Sequence, residues 1–599
     1  MTFTDGEFAA LRLAYWKHVA AEDVLGRSAA DLDHAVRSHL DLAQRRPQGT
    51  ARVRVFTPLT SGAGWDAEGR SVVEIVTDDM PFLVDSVSQE LTRTDRAIFL
   101  VVHPQLTVRR DITGALLGPA DRTAPGPTDT RESWMHLEID RLSDAEATEV
   151  EANLRRVLDD VRSAVEDWQK MGETVLRAAD DLLGSAGTPD LVGDPQLTEA
   201  WDLLCWMADN HFTFLGAREY ALVDGPNGEE LRGVPGTGLG ILRGDSEVST
   251  SFDALTGPQR ARARDRQPVI VTKSTSRSTV HRAGYLDYVG VKRFDEKGEV
   301  IGERRFLGLF SRDAYAQSVL RIPVLRRKVD ALFELTGFDP ASYSGRDLRE
   351  AVETYPRDEL FATPVPELVE ILTAVLHLKE RRRLRLFLRH DEFGRFVSAL
   401  VYLPRDRYNT ENRLKIQAVL AEALRGINIE YTSWVTESVL ARLHFVVRID
   451  PEDAERVRTV DPAAVEARLV ETTRTWREEL TEALDERCDV HQTAELTTRY
   501  AEAFPAGYRE ANSARAAVDD LTRLEKLAPD SVAVRLYAGG PDQGSRRFSV
   551  YRRGPAISLS EVLPVLQHLG VEVTDEQPYR IVAPELGETW IYDFGLRAD

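Results

Sequence analysis

Three stretches of this 599-residue chain repeat one order of secondary-structure signals, and that order excludes most folds. In the first stretch, Ser71-Val72-Val73-Glu74-Ile75-Val76-Thr77 is β-branched and predicts a strand. An apolar helical pattern follows over 81–94, then a strand over 97–110. Trp134-Met135-His136-Leu137-Glu138-Ile139 returns as a strand. The capping box Ser143-x-x-Glu146 opens a long helix with Val150, Leu154, Val157, Val161, Val165 and Trp168 on one stripe. Strand, helix, strand, strand, helix is the order of an α+β unit. A doubly wound parallel sheet needs regular strand–helix alternation.

A similar order recurs as strands 384–388 and 396–403, a helix 410–424, and strands 427–436 and 439–449. Asp461-Pro462 then caps a helix carrying Val465, Leu469, Trp476, Leu480 and Leu484 on one side. A third copy has strands 532–538 and 546–551, a helix 558–569, and strands near 571–575 and 578–583. Between the first two lies a distinct α+β stretch, where "NHFTFLGAREYAL" (210–222) and "YLDYVGVKRFDEKGEVIGERRFLGLF" (285–310) predict hairpin strands of a separate sheet. Ahead of all this, Thr4-x-x-Glu7 is a capping box for a helix with Phe8, Leu11, Tyr15 and Val19 on one face. Arg52-Val53-Arg54-Val55-Phe56 alternates like an edge strand. The span 112–131, with Gly118, Pro119, Pro125, Gly126 and Pro127, reads as a mobile loop.

The expected organisation is therefore multidomain α+β. It comprises an N-terminal helical segment 1–45, a first unit 46–142, a helical connector 143–195, a distinct α+β unit 196–345, a connector 346–380, a second repeat unit 381–455, a helical segment 456–530 and a third repeat unit 531–599. The charge is −22, from 76 basic and 98 acidic residues, so phosphate backbones are repelled and no nucleic-acid partner is expected. Two distant cysteines, Cys205 and Cys488, exclude a disulfide scaffold and fit a reducing, cytoplasmic setting. The acidic start lacks the basic region of a signal peptide. Apolar runs such as Ala97-Ile98-Phe99-Leu100-Val101-Val102 are strand-length, well short of the ~20 residues that span a bilayer.

Catalytic signatures are weak throughout. "GVPGTGLGIL" (233–242) has alternating Gly236, Gly238 and Gly240, but Ile241 stands where a dinucleotide fingerprint needs its third glycine. It reads as a flexible hairpin loop. "AGGPDQGS" (538–545) runs from strand to strand and reads as a turn. Cys488-x-x-His491 is half a zinc motif with no second pair. Cys205 lies between Leu204 and Trp206 and reads as packing. Lys273, Arg277 and Arg282 would suit a phosphate, and Lys379-Glu380-Arg381-Arg382-Arg383 an anion, but a solvated loop and a helix C-terminus explain them better. Asp78 and Asp79 are adjacent carboxylates that do not converge, and helix capping accounts for at least one. No catalytic, cofactor-binding or metal residue is expected in this chain.

Longer motifs carry a resemblance. "VVEIVTDDMPFLVDSVSQELTRTDRAIFLVVHPQLTVRRD" (72–111) resembles the first ACT-like unit of the large bacterial NAD-specific glutamate dehydrogenases. "FVSALVYLPRDRYNTENRLKIQAVL" (396–420) is similar to that family's second unit. "ISLSEVLPVLQHLGVEVTDEQPYRI" (557–581) and "WIYDFGL" (590–596) are similar to its third. The resemblance implies three ACT-like units, a PAS-like fold for the distinct mid-chain unit, and a non-catalytic regulatory segment. In the family the dehydrogenase region, with its NAD site and catalytic Lys and Asp, follows such a segment, so these 599 residues alone are expected to be inactive. It implies a homotetramer or hexamer of the parent, an amino-acid effector, and a forkhead-associated regulator protein as a partner. A pure scaffold and a free-standing amino-acid sensor are the rival readings.

The family's ACT loop resembles D-x-P-G-L-L, matched here by Asp79-Met80-Pro81-Phe82-Leu83-Val84, with Phe82 in place of the glycine. A strand that meets a helix N-terminus favours anions. With Asp78 and Asp79 already there, a bound amino acid would present its ammonium to one of them. A structural corner or domain interface is the alternative. In the second unit, Thr410 would be the N-cap, and Arg405 and Arg407 would hold a carboxylate. An interdomain salt bridge explains that pair equally well.

Overall fold

The computed structural model describes residues 3–598 except 60–64, 121–125, 127–128, 186–193, 226–227, 245–263, 379–380, 392–393, 437, 539–545 and 585. It divides into two compact units, residues 1–378 and 379–599.

The first unit holds two antiparallel sheets. The first sheet contains β1 (Arg52–Phe56), β2 (Ser71–Asp78), β3 (Ile98–Val102), β4 (Gln105–Arg110), β5 (Leu116–Pro119) and β6 (Asp129–Ile139). Their order is β1-β2-β6-β4-β5, with β3 also on β6. Strand periodicity explains its layering. Val73 and Ile75 pack with the Leu83–Arg93 helix and the long Asp144–Ser185 helix. The alternate residue Val76, with Trp134, packs with Leu11 and Tyr15 of the Asp5–Trp16 helix and Val36 of the Ala29–Ala43 helix. Both faces of β2 are covered.

The second sheet contains β7 (Phe212–Gly225), β8 (Gly228–Gly233), β9 (Leu239–Gly240), β10 (Val269–Arg277), β11 (Tyr285–Phe294) and β12 (Val300–Phe310). Its order is β10-β11-β12-β7-β8, with β9 on β7. The 42-residue Asp144–Ser185 helix serves both sheets. Its Leu154, Val157 and Val161 share one core with Val53 and Ile75 of the first sheet and Leu215 and Leu307 of the second.

The second unit has two four-stranded antiparallel sheets. One contains β13 (Arg385–His390), β14 (Phe396–Pro404), β15 (Gly426–Trp434) and β16 (Leu440–Ile449), in the order β13-β14-β16-β15. The other contains β17 (Val532–Ala538), β18 (Arg546–Arg553), β19 (Val571–Ile581) and β20 (Thr589–Ala598), in the order β17-β18-β20-β19. The chain is thus α+β throughout. No helix among the described residues is long and apolar enough to cross a membrane.

Several expected elements differ. The strand over 97–110 is two strands, broken at His103-Pro104, where proline has no N–H to give a ladder. The loop expected over 112–131 contains β5 and the start of β6; 121–125 and 127–128 lie outside the described residues. Trp168 is 59% exposed, off the buried stripe. Asp461 caps only Pro462–Thr472; a third capping box, Thr475 with Glu478, starts a separate Trp476–Asp485 helix. The break lets Val465 and Leu469 serve the β13–β16 core while Leu480 and Leu484 serve the core beside β17–β20. The two strands expected over 571–583 are one strand, β19, irregular between Val573 and Asp575. "WIYDFGL" lies in β20, between β18 and β19.

Candidate functional site

The 78–87 stretch turns by an unusual route. The helix starts at Leu83, not 81, and its N-cap is Phe82, with φ 71° and no side-chain cap. Neither aspartate caps it, which corrects the expected role. Left-handed backbone is glycine's province, yet here Phe82 holds it. The Phe82 ring packs tilted against His281, with centroids 4.8 Å apart and planes 43° from parallel. Ser86 Oγ accepts the His281 N–H at 2.9 Å, and Gln89 Nε2 donates to Ser278 O at 2.6 Å. The corner is therefore where the first sheet's helix meets the segment joining β10 to β11. Pro81 is exposed beside it. Phe82→Gly relieves left-handed backbone but loses the ring, whereas Phe82→Ala loses the ring and keeps the strain. The alanine variant is expected to melt below the glycine one, by about 1 kcal/mol; equal melting would show that Phe82 carries no backbone strain.

Both carboxylates are engaged. Asp78 meets Arg46 at 2.8 Å and Arg162 at 2.7 Å. Burial works against its charge, but the two guanidiniums outweigh it and hold Asp78 below the usual carboxylate range. Asp79 accepts from Ser133 Oγ at 2.7 Å and Gln105 Nε2 at 3.1 Å, and pairs with Arg131 at 3.0 Å. His103 Nε2 is 3.0 Å from the same Ser133 oxygen. Serine, histidine and aspartate thus meet, but in the wrong order for nucleophilic catalysis. The serine proton goes to the aspartate, and no carboxylate orients the histidine.

In the second unit, Arg405 and Arg407 flank a single 3-10 turn, Arg405–Arg407. Arg407 pairs with Glu478, while Arg405 is exposed. They do not form one fork. The N-cap is Asn409 rather than Thr410; its side chain accepts the Asn412 N–H at 2.7 Å. Asn409 has the extended backbone that an N-cap needs, whereas Thr410 already lies inside the helix.

The remaining candidates resolve locally. Lys273 is half-buried between Asp287 (2.6 Å) and Asp358 (2.8 Å); desolvation opposes its charge, yet these carboxylates hold its ammonium well above the ordinary range. Arg277 lies over Tyr285, and Arg282 donates to Phe310 O. Burial, then Asp180 and Asp202, pushes the Cys205 thiol up, the opposite of an activated nucleophile. Cys488 packs against a helical core and His491 is exposed. Lys379, Glu380 and 539–545 lie outside the described residues. Two of the 233–242 glycines, Gly238 and Gly240, pack directly against backbone, whereas a Cβ on Gly236 would meet open space. A Cβ on Gly240 (φ 59°) would sit 2.1 Å from Leu215 O, and one on Gly238 2.3 Å from Leu242 O. Their glycine requirement is steric and needs no ligand.

Two features escaped sequence reasoning. A cavity of about 600 Å³ lies between the long helix and the second sheet, lined by both signs of charge, among them Arg177, Asp180, Asp181, Arg218, Glu219 and Arg304. The other is a buried group of His39, Glu74 and His136. Neither leaves a sequence motif, because each gathers residues from separate elements.

Five family models match in chain order. They are the glutamate dehydrogenase ACT1 domain (residues 11–154), helical motif 1 (322–381), ACT2 domain (385–477), helical motif 2 (483–527) and ACT3 domain (531–599). The NAD-specific glutamate dehydrogenase of Halomonas elongata is 35% identical over 590 residues, that of Pseudomonas aeruginosa 36% over 588, and that of Mycobacterium tuberculosis 30% over 575. The chain belongs to the NAD-specific glutamate dehydrogenase family. These alignments take in 97%, 97% and 93% of the chain but 36%, 36% and 33% of the relatives, so it spans about a third of their length. Within this glutamate dehydrogenase frame, the Asp78 corner and the His39 group lie in ACT1, and Arg405 and Arg407 in ACT2. The cavity lies between ACT1 and helical motif 1, outside the five matched ranges.

Proposed function

We propose that this chain is a non-catalytic allosteric and assembly region of a large NAD-dependent glutamate dehydrogenase. The parent reaction is oxidation of L-glutamate with NAD and water to 2-oxoglutarate, ammonium and NADH. The supporting observation is the run of three ACT domains and two helical motifs in family order, over a third of the relatives' length. In this reading NAD binds a dehydrogenase region beyond these residues, and the mid-chain sheet is PAS-like. An effector acts by binding one packing of the units better than another.

A small amino-acid effector has more room in the cavity beside Arg177 and Arg218 than at the Asp78 corner, whose carboxylates already have partners. Opposite charges on the cavity wall suit a zwitterion. Assembly has its own support. The sheet-edge strand β17 exposes Val532, Val534 and Leu536 by 48, 59 and 64%, an apolar row of the kind that pairs between subunits.

A thermal-shift screen against the twenty amino acids tests the effector. A ligand at ~100 times its Kd stabilises by about 2.7 kcal/mol, and Arg177→Glu should abolish the shift. A blank screen with self-association intact by light scattering favours the scaffold. A shift that survives Arg177→Glu moves the effector elsewhere.

A further inference from the structure

The unmet polar atoms of the first sheet gather around one point. His39 projects from the Ala29–Ala43 helix; Glu74 and His136 are cross-strand partners on β2 and β6. All three are fully buried, and one ligand atom from each lies within 4.8 Å of the other two. Glu74 Oε1 and both ring nitrogens of His136 have no hydrogen-bond partner. Buried polar atoms left without partners are costly and call for an ion or ordered solvent.

The surrounding contacts orient the donors. His39 Nε2 lies 3.1 Å from Ile75 O and so carries the proton, which leaves the Nδ1 lone pair facing the group, where the Tyr15 hydroxyl sits at 2.8 Å. Arg54 takes Glu74 Oε2 at 2.5 Å and leaves Oε1 pointing inward. A ligand histidine held by a carbonyl and a ligand carboxylate held by a guanidinium are the usual outer contacts of a metal site. Charge permits a cation. Glu74 and Glu138, whose Oε1 is 3.7 Å from His136 Nε2, are both fully buried, whereas Arg27, Arg54 and Arg70, which pair with them, are 12, 36 and 26% exposed and better screened.

We propose that His39, Glu74 and His136 bind a zinc ion that fastens the N-terminal helices to the ACT1 sheet. Two imidazoles and one carboxylate are a zinc donor set, and full burial of all three closes the site to substrate, so its role would be to hold the elements together. Tetrahedral zinc, with bonds of about 2.0–2.1 Å, spaces its ligand atoms about 3.3 Å apart, so the three side chains would draw together from within 4.8 Å and a water would take the fourth position. Binding takes the Nδ1 lone pair from the Tyr15 hydroxyl.

The chain is stripped with a chelator and titrated with Co2+ and then Zn2+, with metal content measured after gel filtration. The expected result is one metal per chain, with the visible ligand-field bands of tetrahedral cobalt that zinc quenches. Glu74→Gln keeps the side-chain volume and is expected to weaken binding at least about tenfold; His136→Ala should abolish it. Should His136→Ala fail to fold, Glu74→Gln alone decides. Absence of metal after saturation overturns the proposal and leaves the group to ordered water. Binding unchanged in Glu74→Gln overturns it as well, because the metal is then held elsewhere.

Discussion

Arg46→Ala is expected to lower the stability of the first unit by about 3–5 kcal/mol, the cost of breaking a buried ion pair. The Arg46 side chain is wholly buried, as is Glu132, which it meets through Nη2 at 2.6 Å and Nε at 2.9 Å. The same guanidinium reaches Asp78 Oδ1 at 2.8 Å and Thr50 O at 3.0 Å. Charges alternate from there: Arg110 forks onto both oxygens of Glu132, and Arg162 holds the far oxygen of Asp78. Removing the central cation leaves each carboxylate with one guanidinium and opens a gap under the Asp78 corner. Lysine is a poor substitute, since a single ammonium cannot replace the fork on Glu132 and still reach Asp78. The control is Glu411→Gln, which breaks an exposed pair with Lys415 and should leave the melting temperature nearly unchanged. Calorimetry of both variants checks the contrast. If Arg46→Ala melted alongside Glu411→Gln, the network would carry no stability.

The same residues show what can be read from sequence. The capping boxes at Thr4 and Ser143 and the β-branched strand 71–77 are local patterns, and each forms as read. Side-chain spacing along one element decides them, so no distant residue is needed. The helix start at 83 was not legible, because tertiary contact with His281 lets a phenylalanine hold backbone that propensity assigns to glycine. The break after Thr472 was equally hidden: an unbroken apolar stripe from Val465 to Leu484 fits one helix, and only the two separate cores divide it. Asp78 and Asp79 were visible as acids, but their partners Arg46, Arg131 and Arg162 lie far off in sequence. The His39 group and the charged cavity fall in the same class, as products of sheet register and helix docking.

Asp167→Ala tests what the glycine loop does. Asp167 projects from the long helix with a side chain only 2% exposed. Its Oδ2 accepts the Gly240 N–H at 3.0 Å and Arg243 Nε at 2.8 Å, and Oδ1 meets Lys170 at 3.2 Å. Burial opposes the charge, but Arg243, the Gly240 N–H and Lys170 outweigh it and bring the carboxyl down to about 2 from an ordinary 3.8. A depressed carboxyl stabilises the fold above its ordinary value, and the gain disappears as pH falls from there through about 2. A full conversion of that difference is about 2 kcal/mol. Arg243 and Lys170 are 43 and 66% exposed, so screening leaves about 1 kcal/mol. The alanine variant also strands the buried Gly240 N–H, which adds about 1–3 kcal/mol at any pH. The stability difference between wild type and variant should therefore be largest at neutral pH, and shrink but not vanish between pH 4 and pH 2. A difference flat across that window would mean that Asp167 holds the loop by shape alone. A difference that vanished at pH 2 would mean that its charge does all the holding.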